Sequence, residues 1–216
     1  MVKFLYSATA KTYFNCVIVI LINISDKDIE TINNNYALLN LFLNKFVVVK
    51  KKYKLYKTQN MNTTILGLDA QKTENLTISL NTLLSNFQVY YQNLRGLHWN
   101  IKGRSFFELH VKFEEFYTDS QEKIDMIAER ILTLEGTPLH TFTEYTELSS
   151  VAVGKNVSND IDAVNLVVNS LSELLKIERL ILNESDDASD EGTNSMMSDF
   201  IAEQEKTIWM LKSWLN

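Results

Sequence analysis

Residues 105–136 read SFFELHVKFEEFYTDSQEKIDMIAERILTLEG, and this stretch decides the fold. Its apolar side chains recur every three or four positions, which is the period of one buried helix face. We predict a helix of about thirty residues, begun by a capping box between Ser105 and Glu108 and ended at Gly136. The apolar positions are Phe106, Leu109, Phe113, Phe116, Tyr117, Ile124, Ile127, Ile131 and Leu134.

The same stretch carries metal-ligating residue types at helical spacing. His110 and Glu114 are four positions apart, as are Asp125 and Glu129, so each pair shares a helix face and could chelate. The pairs lie about 22 Å apart at ~1.5 Å per residue, whereas ligands approach one metal to about 2 Å. One subunit therefore cannot close a site, but two antiparallel copies of the helix across a twofold axis could close two. We predict paired intersubunit metal sites, with His98 upstream as a further ligand.

Three further long helices and one short helix are predicted around this stretch from apolar periodicity. They are expected at roughly 72–100, near 142–148, from Asn159 or Asp160 onward, and up to about Leu215. An acidic turn at 184–192 is expected to separate the last two. Four long helices with one long link between the second and third predict an all-α four-helix bundle, whose crossover carries the short helix.

The first sixty residues differ from the rest in composition. They contain no Gly, Pro, His, Arg or Trp, and 33 of them are Phe, Ile, Met, Asn, Lys or Tyr, whose codons are dominated by A and T. An AT-rich upstream stretch read in frame would look like this. We therefore expect translation to begin at Met61, with 1–60 a non-native, disordered or loosely structured extension and 61–216 the domain. N-terminal sequencing of natively expressed protein would decide it.

Charge divides at the same point. Residues 1–60 carry nine Lys and three acids, +6, and residues 61–216 carry twelve Lys plus Arg and twenty-four acids, −12, which sum to the −6 of the whole chain. A body at −12 repels phosphate backbones, so DNA binding is disfavoured unless a basic tail supplies it. No such tail follows Met61.

Residues 1–60 also contain the only cysteine of the chain, Cys16, so a disulfide scaffold is excluded. The apolar run at 17–24 is eight residues long, far shorter than a membrane-spanning helix. No small-residue cleavage site closely follows it, which disfavours secretion. We expect a cytoplasmic protein without a membrane anchor, with nucleoid association disfavoured.

Histidine nitrogen with carboxylate oxygen suits zinc, manganese or iron. Taken singly, each acid is more often a solvated helix residue, and a histidine beside Trp99 is often only a packed ring. However, these polar groups interrupt or flank apolar rows, and burying their charge needs compensation. A metal ion supplies that compensation, and an ion pair to Arg130 or Lys112 is the alternative.

Three motifs carry a resemblance to a known family. They are LHWNIKG at 97–103, FFELHVKFE at 106–114 and DMIAER at 125–130. Together they closely resemble the Dps family, the DNA-protection-during-starvation proteins or miniferritins of the ferritin-like superfamily. The resemblance covers nearly everything after Met61, including the Gly-Thr-Pro break at 136–138 and the closing IWMLK at 208–212.

The resemblance implies a hollow dodecamer whose twofold interfaces each hold two ferroxidase sites, with two irons per site. His98, His110 and Glu114 would come from one subunit, and Asp125 and Glu129 from its mate. Such sites oxidise ferrous iron with hydrogen peroxide, and the cavity stores ferric mineral. The family commonly has Asp where Glu114 stands, which moves the carboxylate by over an ångström.

Two accessory roles are also implied. Trp99 would sit beside the site and intercept one-electron intermediates, although simple packing explains it as well. Acids of the expected turn would line a negative pore drawing ferrous ions inward at a threefold axis, the alternative being a solvated turn. These acids are Asp186, Asp187, Asp190 and Glu191. His140 is expected to be a surface residue.

Two other functions compete with the ferroxidase. One is a DNA-compacting structural protein with little ferroxidase activity, which needs exposed basic arms. The other is an inert helical bundle with an unused metal site.

Overall fold

The computed structural model describes residues 63–216, and the expected extension 1–60 lies outside them. Five helices follow one another along this part of the chain. They are α1 (Ala70–Asn100), α2 (Phe106–Thr133), α3 (Phe142–Leu148), α4 (Asp160–Ala188) and α5 (Glu191–Leu215). The predicted all-α bundle with a helical crossover is confirmed.

The long helices begin where short polar side chains satisfy free backbone N–H groups. The carboxylate of Asp69 accepts from the Lys72 N–H at 3.0 Å, at the start of α1. Asn159 accepts from the N–H of Asp162 at 2.8 Å and begins α4. The Asp190 carboxylate accepts from the Thr193 N–H at 3.2 Å and begins α5.

The core of the bundle is one continuous apolar cluster. α1 packs against α2 and α4, α4 packs against α5, and the short α3 lies on α1. The largest fully buried side chains are Phe87, Phe113, Leu76, Leu80, Leu83, Leu84, Leu94, Ile101, Ile127, Ile131, Leu174 and Ile181. This core fixes the relative position of α1 and α2, on which the site depends.

Two buried asparagines of α1 hold the crossover. The side-chain oxygen of Asn86 accepts from the N–H groups of Ser150 and Val151 at 2.8 and 3.0 Å. Asn93 accepts from the Gly154 N–H and donates to the Ala152 carbonyl, both at 2.8 Å. The link between α2 and α4 is therefore pinned to the face of α1.

The predicted capping box at the start of α2 is wrong. Ser105 makes no side-chain capping bond, and its hydroxyl instead donates to Asp160 at 3.2 Å. The Glu108 carboxylate accepts from the indole N–H of Trp214 at 3.0 Å. Tertiary partners on α4 and α5 therefore replace the local pair.

The helix α2 ends near the predicted position, but for a different reason. Its left-handed residue is Glu135, with φ 66°, and not Gly136. A Cβ on Gly136 would lie 3.0 Å from methyl groups of Ile131 and Thr77. The glycine is needed for close approach of α1 and α2.

The predicted acidic turn at 184–192 is also wrong in extent. α4 continues through Ala188, and only Ser189 and Asp190 separate it from α5. Ser185 and Ala188 are buried, so this segment has an apolar face that packs as helix. The reversal occurs at Ser189, whose φ of 57° is left-handed.

Among residues 63–216, no helix is both long and apolar enough to cross a membrane.

Candidate metal centre

Two histidines meet where α1 ends and α2 begins. His98 lies in the last turn of α1, and His110 lies in the second turn of α2. Their rings stack with centroids 3.8 Å apart and planes 20° from parallel. The tight connection at 101–105 thus brings together two imidazoles that are twelve positions apart in sequence.

A reciprocal pair of hydrogen bonds fixes both rings. Nδ1 of His98 is 2.8 Å from the backbone oxygen of His110, and Nδ1 of His110 is 2.8 Å from the backbone oxygen of His98. Because a carbonyl can only accept, each Nδ1 must carry the proton. In the neutral imidazole this tautomer leaves the lone pair on Nε2, which is the form that binds a metal ion.

Aromatic neighbours restrain the same rings. Phe106 stacks on His110 with centroids 5.1 Å apart and planes 23° from parallel. Tyr117 meets His98 edge-on at 5.5 Å. Both histidines are half-buried, so the surrounding rings limit rotation without closing the site to solvent.

Glu114 lies one turn beyond His110 and is exposed. Its backbone oxygen accepts from the Thr118 hydroxyl at 2.9 Å, whereas its carboxylate is held by no cation within the described residues. Loss of hydration, together with the Glu114 carboxylate, raises the pKa of the Tyr117 phenol. The carboxylate therefore lies near Tyr117, one helical turn from His110, and has no cation partner within the described residues.

The other two predicted ligands lie farther along the same helix. Asp125 and Glu129 are both exposed, and their side chains form no hydrogen bond or ion pair with any part of the chain from 63 onward. No three His, Cys, Asp or Glu side chains of this region are grouped closely enough to hold a metal ion. One subunit thus presents a nitrogen-rich half-site and, separately, a carboxylate pair.

Comparison with known proteins decides the family. The family model described as a ferritin-like domain matches residues 79–216. A DNA protection during starvation protein of Porphyromonas gingivalis is 39% identical over 150 residues, which cover 69% of this chain and 94% of that protein. An uncharacterised protein of Haemophilus influenzae is 44% identical over 153 residues, covering 71% and 96%.

A solved structure agrees. The Dps protein of Vibrio cholerae O1, described as a member of a broad superfamily of ferritin-like diiron-carboxylate proteins, is 46% identical with a TM-score of 0.71. The match covers 72% of this chain and 98% of that one. The chain belongs to the Dps family. Family membership supports an iron-storage function of the ferritin-like type for this Dps protein.

The two cations that could have neutralised the site are engaged elsewhere in the subunit. Lys112 forms an ion pair with Glu115. Arg130 forms an ion pair with Asp190, and its Nε donates to the Thr193 hydroxyl at 2.9 Å. Within one subunit of this Dps protein, neither cation compensates the predicted ligands.

The four acids expected to line a pore fall into two groups. Asp186, Asp187 and Glu191 are exposed at the junction of α4 and α5. Asp190 is 3% exposed and is engaged by Arg130 and Thr193 as the cap of α5. The pore remains a prediction, and its available carboxylates are the three exposed ones.

Trp99, which was expected beside the site, is 59% exposed, and the guanidinium of Arg95 lies 4.8 Å from its ring centroid; its role stays a prediction. Two neighbours of the histidines were not found from sequence. Phe106 and Tyr117 were read only as core positions, although they contact the histidines. His140 is exposed, as expected, with its Nδ1 3.1 Å from the Pro138 oxygen.

Proposed function

We propose that this Dps protein is a ferroxidase and iron store whose sites are each shared by two subunits. His98, His110 and Glu114 of one subunit and Asp125 and Glu129 of its twofold mate hold two ferrous ions. Hydrogen peroxide is the oxidant, and a dodecameric shell stores the ferric product. The observation that carries the proposal is the reciprocal hydrogen bonding of the two histidines, which presents two Nε2 donors together.

The donor set fits iron. Imidazole nitrogen suits iron among other transition metals, and carboxylate oxygen favours the harder ferric ion over the ferrous one. The set contains no thiolate within residues 63–216, which disfavours soft-metal chemistry. Backbone acceptors on both Nδ1 atoms are the outer partners that orient histidine ligands in metal sites.

The surface of α2 supports the shared site. Large apolar side chains are exposed beside both sets of ligands, which is unusual for a solvent-facing helix. They are Phe107 at 83% and Val111 at 52% near the histidine end, and Met126 at 47% and Leu132 at 60% near the acid end. An antiparallel second copy of α2 would cover both patches at once and bring each acid pair to a histidine pair.

In the proposed reaction, one molecule of hydrogen peroxide oxidises the two ferrous ions held by these residues. Two ferrous ions each give one electron, the O–O bond of peroxide takes both electrons with two protons, and two waters form. Holding both irons in one site lets the electrons leave together, so that no hydroxyl radical is released. The residues bind and orient the ions, and the carboxylates stabilise the higher charge of the product.

A ferrous titration tests the proposal. Ferrous iron is added without oxygen, hydrogen peroxide follows, and ferric absorbance is recorded in the ultraviolet. We expect the native protein and His140→Ala to form the ferric signal faster than ferrous iron and peroxide do without protein, and we expect this acceleration to be lost when both His98 and His110 are changed to Ala. A native protein that gives no acceleration would favour the inert bundle.

DNA compaction is disfavoured by the −12 charge of residues 61–216. The nine lysines of 1–60 lie outside the described residues. A gel shift at low salt, with the full chain and with a chain starting at Met61, separates their contributions. Retardation of DNA by the shorter chain would contradict the charge argument.

A further inference from the structure

A tyrosine contacts the histidine centre. Tyr117 is half-buried on α2, two turns beyond His110. Its ring meets the ring of His98 edge-on, with centroids 5.5 Å apart and planes at 86°. The Glu114 carboxylate lies within hydrogen-bonding reach of the Tyr117 hydroxyl. One side chain therefore touches two of the proposed iron ligands, His98 with its ring and Glu114 with its oxygen.

A second tyrosine extends this contact, whereas the nearby tryptophan does not. Tyr91 of α1 meets Tyr117 edge-on, with ring centroids 6.2 Å apart. The guanidinium of Arg95 lies 5.4 Å from the Tyr91 centroid and 4.8 Å from that of Trp99, so a cation lies between these two rings. Within residues 63–216, the Trp99 ring stacks on no other aromatic ring or histidine. The oxidisable ring in contact with the centre is therefore that of Tyr117.

A proposed site that holds one ferrous ion lacks an electron. Reduction of hydrogen peroxide to water takes two electrons, and a single ferrous ion supplies one, which leaves a hydroxyl radical. Phenols, indoles and thiols are the side chains that lose one electron most readily, and the only thiol, Cys16, lies outside the described residues. An oxidised phenol is a strong acid, so a facing carboxylate such as Glu114 eases the loss of its electron by accepting its proton.

We propose that Tyr117 supplies the second electron to peroxide when the site holds only one iron. One electron leaves the ferrous ion, one leaves the phenol, and both enter the O–O bond, which breaks. The phenol proton and one proton from solvent complete two waters, and a ferric ion and a neutral tyrosyl radical remain. This inference rests on the proposed ferroxidase function and adds an electron donor to the same site.

Radical detection at half loading tests the inference. The full chain receives one ferrous ion per subunit without oxygen, then hydrogen peroxide, and is frozen rapidly for electron spin resonance. A parallel sample contains a spin trap for hydroxyl radical. Tyr117→Phe removes the oxidisable hydroxyl and keeps a ring beside His98. Tyr145→Phe is the matched control, because this tyrosine of α3 packs on Phe142 and contacts neither histidine. Trp99→Phe tests the tryptophan.

We expect a tyrosyl signal from the native protein, from Tyr145→Phe and from Trp99→Phe. Incorporation of ring-deuterated tyrosine should narrow this signal. Tyr117→Phe should lose the signal and release more trapped hydroxyl radical than the native protein does. A native protein without a tyrosyl signal, an equal signal in Tyr117→Phe, or loss of the signal in Trp99→Phe would each overturn the inference.

Two further measurements separate this inference from the proposed function. Ferrous affinity without oxidant, and the rate of ferric formation with two ferrous ions per subunit, should be unchanged in Tyr117→Phe, because a filled site supplies both electrons itself. Loss of ferrous binding in this variant would overturn the inference, since the missing signal would then reflect missing iron. A native protein that does not accelerate ferric formation would overturn the ferroxidase proposal and this inference with it. Normal acceleration with an equal radical signal in both proteins would overturn this inference alone.

Discussion

The two ends of α2 carry the two complementary halves of the proposed intersubunit sites, but they are built differently. At the first end, His110 is half-buried, stacked between His98 and Phe106, and hydrogen-bonded through Nδ1. At the other end, Asp125 and Glu129 are exposed and contact no cation. One subunit therefore orients the nitrogen donors by itself, whereas in the proposed site the carboxylates of Asp125 and Glu129 would be positioned by a partner subunit.

This difference follows from the chemistry of the donors. An imidazole needs its tautomer and ring orientation set before it can bind well, and only hydrogen bonds within the subunit can set them in advance. A hydrated surface carboxylate is stable alone and needs no such support. In the proposed intersubunit site, iron would therefore meet one half whose donors are oriented in advance, the fixed half, and one half of hydrated surface carboxylates, the mobile half.

The largest effect is expected at the fixed half. Changing His98 or His110 to Ala removes a ligand and the stacked ring that supports the other histidine. Ferrous affinity should fall by about a hundredfold or more, as calorimetry without oxygen would show. His140→Ala is the control and should bind as the native protein does. A comparable loss in the control would contradict the special role of the stacked pair.

The mobile half should respond in binding but not in folding. Changing Asp125 to Asn and Glu129 to Gln should lower ferrous affinity about 10- to 100-fold, because the charge of two ligands is lost. The helical content of the double variant, measured by circular dichroism, should be unchanged, since neither side chain is buried within the subunit. Glu122→Gln, an exposed acid on the same helix, is the control. Unchanged binding in the double variant would break the comparison.

The middle of α2 differs from both ends because it faces buried charge. Burial raises the pKa of Glu178, opposite Lys123, to about 7 from an ordinary 4.5. Between about pH 4.5 and 7 the folded state holds a proton that the unfolded state releases, so the contribution of Glu178 to stability is greatest at low pH and is lost as pH rises to about 7. We expect Glu178→Gln to flatten this fall by about 2 kcal/mol between pH 5 and 8 in urea unfolding. A native profile parallel to that of the variant would refute it.

A smaller effect is expected where Asn86 of α1 binds the backbone of the crossover. Asn86→Ala would remove the acceptor of the Ser150 N–H and the nearer acceptor of the buried Val151 N–H, which would keep only the Ser149 hydroxyl at 3.2 Å. The free energy of unfolding should fall by about 1–2 kcal/mol. Asn165→Ala, at an exposed position of α4, is the control for urea unfolding. Equal stability of the two variants would show that the crossover is held by packing alone.

Most of the fold could be predicted from apolar periodicity. The short helix was expected near 142–148 and is observed at Phe142–Leu148. The errors arose where tertiary contacts override local signals. Ser105 and Glu108 match a capping box, but Asp160 and Trp214 engage them instead. The many charged residues at 184–192 also indicated a turn. The buried positions of this segment, Ser185 and Ala188, are small residues, so the apolar periodicity that marks a helix was weak there.

The sequence predicted the residue types and the spacing of the candidate ligands, but not the geometry of their side chains. Within the residues described, no three potential ligands are grouped closely enough to hold a metal ion, and the predicted ligand set stays a prediction. The stacking of His98 on His110 depends on the chain path at 101–105, which no periodicity encodes. Likewise, the burial of Asp190 depends on Arg130, sixty positions away. Sharing of the site between subunits stays a prediction.

Co-expression of two defective subunits tests that central claim most directly. One carries His98→Ala and His110→Ala, and the other carries Asp125→Asn and Glu129→Gln. Alone, each should fail to oxidise ferrous iron with peroxide. If sites are shared across a twofold axis, equal random mixing should restore about a quarter of native ferroxidase activity, because half the dimers are mixed and each has one intact site. Assemblies that contain both subunits but show no restored activity would contradict the account.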